Sequence, residues 1–406
     1  MIITFILPNV GISGGVRVIL EYANRLSERK HEVYVVYPIV PPIFISKSKA
    51  KAIQNKIIGA LVNLKKSNKI GWFNLKSNIN IIRIPTINPR YVNILKSRVP
   101  DSDIIIATSW ETAYFVNNLP KEKGEKFYFV QHYEIWDLWS NLSCWEKAIK
   151  IEKDGIRLPL AMTYVSPEKP YIKKFKAMVD YSYVLPLKKI TISLWLKNLL
   201  EQRFKQKVYD VIPNGINFDI FYCSKNEKNW NSEKKIILMP YRGIRWKGDE
   251  DGIYALNNIH KRYGHKVEIW LYGPKSSHLP QWIKFFERPN DEKLRELYCK
   301  AHIFVAPSWV EGFYLPPLEA MACKCSVVTT NVGAVPDYVI PEQTAIVVPP
   351  RSPQKIEEGL SYLLDNWSIA KRIAENGYKY VRQLTWEKSV DKLERLFKKV
   401  ITEKIK

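Results

Sequence analysis

The sequence predicts an α/β protein made of two doubly wound parallel sheets. Three observations carry this. Two series of short apolar runs alternate with helical periodicity, a Pro-Asn-Gly connection at Pro213, Asn214 and Gly215 separates the series, and 406 residues exceed one ordinary domain. The apolar share of 46% is enough for two cores.

The first series opens at residues 2–7, a continuous apolar run of the kind buried on both faces of a sheet. A turn bearing Gly11, Gly14 and Gly15 follows. Val18, Ile19, Tyr22, Ala23 and Leu26 then recur at helical spacing, and residues 33–37 form the next strand. Further strands are expected at 104–107, 127–130 and 190–193. The second series places strands at 235–239, 267–272, 303–306, 326–329 and 345–348, with helices such as 291–300 and 318–322 between them. The tail from 386 to 406 reads as one amphipathic helix with Val390, Leu393, Leu396, Phe397 and Val400 on its apolar side. The expected domains are therefore 1–213, 214–385 and a C-terminal helix at 386–406.

Composition excludes several classes. No apolar run approaches the roughly 20 residues needed to span a bilayer, and residues 2–7 are too short for a signal peptide and lack a preceding basic segment. The five cysteines (Cys144, Cys223, Cys299, Cys323 and Cys325) are odd in number and scattered, so neither a disulfide framework nor a zinc pattern is expected. That points to a reduced, cytoplasmic protein.

The net charge is +23, and residues 1–100 carry 16 Lys and Arg against three Asp and Glu. Such a field attracts phosphate-rich partners: anionic lipid, a lipid-linked acceptor or nucleic acid. No nucleic-acid recognition signature appears. Residues 43–76 depart from the αβ rhythm. Ile53, Ile57, Ala60, Leu61 and Leu64 share a helical stripe, Lys49 and Lys56 flank it, Lys65, Lys66 and Lys69 follow, and Trp72 and Phe73 close the segment. A basic amphipathic helix with aromatics suits an anionic membrane surface, on the inner face of a membrane; an ordinary surface helix fits the same pattern.

The most specific segment runs Glu311-Gly312-Phe313-Tyr314-Leu315-Pro316-Pro317-Leu318-Glu319-Ala320-Met321-Ala322. It follows the strand at 303–306 and so lies at a strand's carboxyl end, where open α/β sheets bind ligands. A proline suits the first helical turn, and the free N–H groups of that turn form a phosphate site. Gly312 lets backbone approach a ligand closely. Glu311 and Glu319, eight positions apart, are placed to hold hydroxyls on either side of that phosphate. A second segment, Arg242-Gly243-Ile244-Arg245-Trp246-Lys247-Gly248, follows the strand at 235–239 and offers cations for a leaving phosphate.

These two segments resemble the retaining family 4 glycosyltransferases of the GT-B fold (glycosyl transferases group 1), with their Glu-(seven residues)-Glu motif. The resemblance implies two Rossmann-like domains facing a cleft, a C-terminal helix crossing back to the first domain, and transfer of a sugar from a nucleotide-sugar donor with no cofactor and no metal. By resemblance Glu311 touches the transferred sugar, Glu319 binds the donor ribose, and Arg242 and Lys247 neutralise the diphosphate. Tyr314 stands where the family usually has Gly, and Tyr241 replaces a Gly before Arg242. Gly312, Phe313, Tyr314 and Leu315 would line the donor, with Arg288 near the base. In the first domain, Gly14 and Gly15 resemble the family's glycine turn, and His132 stands after a strand where the family often has a catalytic histidine. Residues 190–196, 212–217 and 291–308 resemble further stretches of the same fold. The implied acceptor is a glycan, lipid-linked or at a surface. A catalytically silent relative that binds nucleotide or membrane, or a nucleotide-sugar epimerase, are the rival readings.

Two acidic clusters are set aside. Asp101-Ser102-Asp103 imitates a metal motif but precedes the strand at 104–107, at the wrong end for a ligand, and reads as a solvated turn. Asp249-Glu250-Asp251 lies where a helix begins, where acids satisfy N–H groups and the dipole. No metal is expected.

Overall fold

The structure, a computed structural model, describes residues 1–40, 44–45, 53–54, 57–61, 70–135, 164–165, 169–224, 227–275 and 279–405. The chain divides into two compact units, Met1–Ile212 with Ser389–Lys406, and Pro213–Lys388.

In the first unit the strands are β1 Ile2–Ile6, β2 Glu32–Pro38, β3 Phe44–Ile45, β4 Asn80–Ile84, β5 Ile104–Ala107, β6 Glu125–Val130, β7 Tyr164–Val165, β8 Lys188–Thr191 and β9 Val208–Val211. Seven of them form one parallel sheet in the order β4-β2-β1-β5-β6-β8-β9, and β3 pairs with β7 apart from it. The central strands β1, β5 and β6 are buried almost throughout, as helices on both faces require. The helix Gly14–Glu28 buries Val18, Ile19, Tyr22, Ala23 and Leu26. The C-terminal helix Trp386–Ile405 packs Phe397 against Phe127 of β6, ring centroids 5.1 Å apart. Burying such an aromatic is worth about 2–3 kcal/mol. Arg29 adds ion pairs to Asp391 and Glu394 of that helix, at 2.6 and 2.8 Å.

The second unit contains β10 Lys235–Pro240, β11 Val267–Gly273, β12 Ile283–Glu287, β13 Ile303–Ala306, β14 Ser326–Thr330 and β15 Ile346–Val348, all parallel in the order β12-β11-β10-β13-β14-β15. Helices Asp249–Tyr263, Asp291–Lys300, Leu315–Ala322, Pro353–Asp365 and Trp367–Val381 cover it. Ile237, Met239, Ile269, Leu271, Val305, Ile259 and Leu360 are among its buried core residues.

Both sheets have a topological switch point. The chain leaves β1 toward β2 and β4 and returns on the other side at β5; it leaves β10 toward β11 and β12 and returns at β13. At such a point the loops diverge and leave a crevice at the strands' carboxyl ends. The loops after β1 and β5, and after β10 and β13, are therefore the two places where each unit is built to bind.

Several expectations change. Asp101-Ser102-Asp103 keeps its two acids exposed, as a solvated turn does, and is also a clasp: Asp103 accepts from the Ile2 N–H at 2.7 Å, Asp101 pairs with Lys123 at 2.6 Å, and Ser102 meets Thr4 at 2.7 Å. Most of the 43–76 segment, including Lys49, Lys56, Leu64, Lys65, Lys66 and Lys69, lies outside the described residues. Within it, residues 57–61 are helical, with Ile57, Ile58 and Leu61 exposed. Trp72 is tied down by donating to the Val10 carbonyl at 2.9 Å. Among the described residues no helix is long and apolar enough to cross a membrane. Cys144 lies outside the described residues, and the other four cysteines are not scattered in space. Cys223 and Cys299, 76 residues apart, form a disulfide, because the helix Asp291–Lys300 folds back beside the segment that leads into the second unit.

Candidate active site

The loop after β10 is held in place by its own backbone. Asp249, the first residue of its helix, is buried, and its carboxylate accepts the N–H groups of Arg242 at 3.0 Å and Gly243 at 2.6 Å. Burial pushes its pKa up, while these bonds and the Arg242 charge pull it back. Asp249 thus pins the loop ahead of it, where sequence suggested a cap on its own helix. Gly248, at φ +71°, passes so close to β13's end that a Cβ there would stand 1.9 Å from the Pro307 carbonyl oxygen. The Trp309 N–H donates to the Trp246 carbonyl at 2.8 Å, which lays the loop after β10 along the loop after β13.

That contact brings the two motifs together. Lys247 Nζ lies 2.7 Å from Glu311 Oε1, and the Ser308 hydroxyl donates to the same oxygen at 2.8 Å. Arg242 points its guanidinium over the Tyr272 ring, 5.5 Å from the centroid. The residue is exposed overall, yet its charged end is packed deeply enough for desolvation to oppose the charge. The Tyr272 and Tyr298 hydroxyls and the carboxylates of Glu319 and Glu311 outweigh that, and its pKa rises. Tyr298 donates to Glu319 Oε2 at 3.1 Å and meets the Tyr272 hydroxyl at 2.9 Å. Arg245 instead faces the ring of Trp309, whose indole N–H donates to Asp251 at 2.7 Å.

The helix Leu315–Ala322 begins with Pro316 and Pro317 in its first turn. Its cap, Tyr314, has φ +82°, the left-handed region that favours glycine. A tyrosine tolerates it here because the side chain is buried and anchored: its hydroxyl accepts from the Ser308 N–H at 3.2 Å, and its carbonyl accepts from Tyr338 at 2.8 Å. The Gly-like backbone course is therefore kept despite the substitution. Phe313 is buried against Tyr338 with centroids 5.6 Å apart, Gly312 is buried, and Leu315 is half-buried. Arg288 sits exposed after β12 at φ +43°, its Nε donating to the Pro274 carbonyl at 3.0 Å. It belongs to the neighbouring strand ends, beside the loop after β11.

In the first unit, Ser13 caps the helix Gly14–Glu28 by accepting from Val16 N–H at 3.2 Å. Gly14 and Gly15 form that helix's exposed first turn, and a Cβ on Gly15 would meet only the Gln131 amide, at 3.6 Å. His132 follows β6 and is buried. Its Nδ1 donates to the Tyr133 carbonyl at 2.8 Å, which leaves Nε2 the basic nitrogen of the neutral ring. Trp195 packs edge-on to it at 6.3 Å.

An acid pair near this point was invisible in the sequence. Glu134 is buried, accepting from the Trp110 N–H at 3.0 Å and the Tyr128 hydroxyl at 3.3 Å. Burial and the Glu111 carboxylate push its pKa well up. Tyr183 links it to His132, accepting from the Glu134 N–H at 3.1 Å and donating to the His132 carbonyl at 3.0 Å. Ser308, Tyr272 and Tyr298 were likewise not singled out; a hydroxyl-bearing residue carries no signal until its strand neighbours are known.

Comparison with known proteins agrees with this geometry. Residues 224–380 match the family model for glycosyl transferases group 1. An uncharacterized glycosyltransferase of Methanocaldococcus jannaschii is 27% identical over 256 residues, covering 61% of this chain and 70% of that protein. An MMP alpha-(1->4)-mannosyltransferase of Mycolicibacterium hassiacum is 32% identical over 204 residues, 47% of this chain and about half (48%) of the relative. Among solved structures, sucrose-phosphate synthase from Thermosynechococcus elongatus superposes with a TM-score of 0.69 at 15% identity, covering 99% of both chains, a likeness of fold alone. The two Rossmann-like units are those of the GT-B fold, the match to glycosyl transferases group 1 lies within the second of them, and the protein is a glycosyltransferase.

Proposed function

We propose that the protein transfers a hexose from a nucleotide-diphosphate sugar to an acceptor hydroxyl with retention of anomeric configuration and without a metal. The observation that carries this is the placement of Lys247 against Glu311 at the entry to a helix that opens with two prolines. The diphosphate rests at the helix start against the N–H groups of Tyr314 and Leu315, since Pro316 and Pro317 have none, Lys247 and Arg242 take its charge, Glu311 holds the sugar and Glu319 the ribose. Phe313, Tyr314 and Leu315 supply the backbone beside it, and Arg288 lies toward the base. When the bond from the anomeric carbon to the β-phosphate oxygen breaks, negative charge grows on that phosphate where the cations already stand. The departing phosphate oxygen takes the acceptor hydroxyl's proton, and the acceptor oxygen bonds to the anomeric carbon on the face just vacated.

For the first unit, this reading assigns acceptor binding to the basic surface of residues 1–100 and keeps Gly14, Gly15 and His132 as groups that meet substrate. A phosphate-bearing, lipid-linked or surface glycan suits that charge, as does peripheral attachment to the cytoplasmic face of a membrane. The mannosyltransferase relative makes a mannosyl donor the first to try. Incubating the protein with a panel of nucleotide sugars and following slow hydrolysis by NMR tests the reading. An α-linked donor should release α-sugar first. Release of β-sugar would refute retention, and an isomerised donor would mark an epimerase.

A further inference from the structure

Three cysteines distant in sequence share one point in the second unit. The sulfur atoms of Cys223, Cys299 and Cys323 all lie within 4.8 Å of one another. Cys223 belongs to the connection entering the unit, Cys299 to the end of the helix Asp291–Lys300, and Cys323 caps the helix Leu315–Ala322. Cys299 and Cys323 are buried and Cys223 is half-buried. Cations flank the group: Arg295 Nη1 stands 3.9 Å from Cys299 Sγ, and Lys228 Nζ 3.4 Å from the nearby Cys325 Sγ.

We propose that Cys223, Cys299 and Cys323 form a site for a thiophilic divalent cation of the zinc class once the Cys223–Cys299 bond is reduced. Reduction by a dithiol adds two electrons and two protons to that bond, giving two thiols beside the third while the dithiol becomes a disulfide. Binding the cation then releases the three thiol protons to solvent. Soft thiolates select such ions, and three of them leave one coordination position for water. Cys299 and Cys323 are buried, which opposes thiolate formation, and the cations Lys228 and Arg295 stand beside the cluster. A divalent cation supplies the larger compensation, since three thiolates around it leave one net negative charge beside the Arg295 guanidinium. The site ties the 222–224 segment to two helices at once. One carries Tyr298 and the other Glu319, which are hydrogen-bonded to each other at 3.1 Å. The disulfide fastens two of these three elements, the 222–224 segment and the helix Asp291–Lys300, whereas the metal fastens all three. This inference is independent of which substrate the enzyme takes.

The test is a cobalt(II) titration of the full chain, reduced and freed of metal under anaerobic conditions. A thiolate-to-cobalt charge-transfer band should rise to saturation at one equivalent and be displaced by zinc(II). It should be absent from the oxidised protein, lost in Cys323→Ser and retained in Cys325→Ser. No band in the reduced protein, or an unchanged band in Cys323→Ser, overturns the proposal. Alkylation of the wild-type chain keeps the answer independent of how the variant folds. Zinc should protect Cys223, Cys299 and Cys323 against iodoacetamide in the reduced protein, as read by peptide mass, and equal labelling with and without zinc overturns the proposal.

Discussion

Lys247 Nζ and Glu311 Oε1 stand 2.7 Å apart, joining two loops that leave the sheet on opposite sides of the β10–β13 switch point. Both side chains are largely covered, at 27% and 13% exposure, so the pair is more than a solvated surface contact. Each partner restrains the other's charge: Lys247 is aimed by Glu311, and Glu311 is aimed by Lys247 and Ser308 together.

Opposite effects on diphosphate binding follow from that pairing. Glu311→Ala releases Lys247 from its carboxylate, so a nucleoside diphosphate should bind as tightly as before or more tightly, while transfer slows by about 100- to 1000-fold. Lys247→Ala should weaken the same binding and slow transfer as well. Calorimetry with a nucleoside diphosphate, beside a rate assay, separates the two. Weaker binding in Glu311→Ala would count against the assigned roles.

Gly248 and Gly243 offer a stability contrast on the same loop. Both have positive φ, +71° and +67°, but a Cβ on Gly248 would strike the Pro307 carbonyl oxygen at 1.9 Å, whereas one on Gly243 would meet nothing within 4 Å. Gly243→Ala should cost only the left-handed backbone penalty, about 1 kcal/mol. Gly248→Ala must also push β13's exit away, at a further cost of about 2 kcal/mol or more, and should lower Tm by at least about 4–8 °C. Equal melting temperatures for the two variants would show that the loops are not clamped there.

What was legible beforehand follows from where burial is two-sided. Residues 104–107 and 303–306 are apolar throughout because helices cover both faces of β5 and β13, and their bounds were readable as they stand. The edge strands β4, β9 and β12 were not, since Arg83, Asp210 and Lys284 interrupt them where one side meets water. The glutamate motif was legible because helix-start chemistry is local. The partners of its carboxylates were not, since Tyr298 reaches Glu319 across 21 residues; nor was the first unit's Glu134, which reaches the Trp110 N–H across 24. Tyr314 stood out as a departure from glycine, but only the folded chain shows the tyrosine taking up glycine's φ. Cysteine spacing fails for the same reason; positions 223, 299 and 323 meet only after three elements have packed.

His302 sets an acid dependence of stability. Its Nδ1 accepts from the Ile236 N–H at 3.0 Å, its Nε2 donates to the Asn229 carbonyl at 2.7 Å, and burial takes its pKa down to about 4. The unfolded chain binds this proton at about pH 6.5, so between there and pH 4 the unfolded state holds more proton than the native one. Stability therefore falls as pH drops through that window, by about 1 kcal/mol per pH unit well inside it. His302→Gln, which does not titrate, should be less stable than wild type at pH 7.5 but should flatten the slope between pH 6.5 and 4.5 in denaturant melts. Parallel slopes would assign the acid sensitivity elsewhere.

Tyr298 is where donor affinity and catalysis should part. Its hydroxyl holds Glu319 at 3.1 Å and Tyr272 at 2.9 Å, and Arg242 lies over the Tyr272 ring. Tyr298→Phe keeps the buried ring and its packing on Phe304 and Phe221 while removing the bond that orients Glu319. If Glu319 binds the donor ribose, the lost bond weakens an interaction made equally in the ground and transition states. KM for the donor should then rise by about 5- to 10-fold, in line with about 1 kcal/mol for a hydrogen bond to a charged group's support, and kcat should change little. Because Glu311 has its own bonds to Lys247 and Ser308, it is untouched by this change. A fall in kcat at constant KM would instead mean that Glu319 acts on the transition state, and the division of labour between the two glutamates would have to be redrawn.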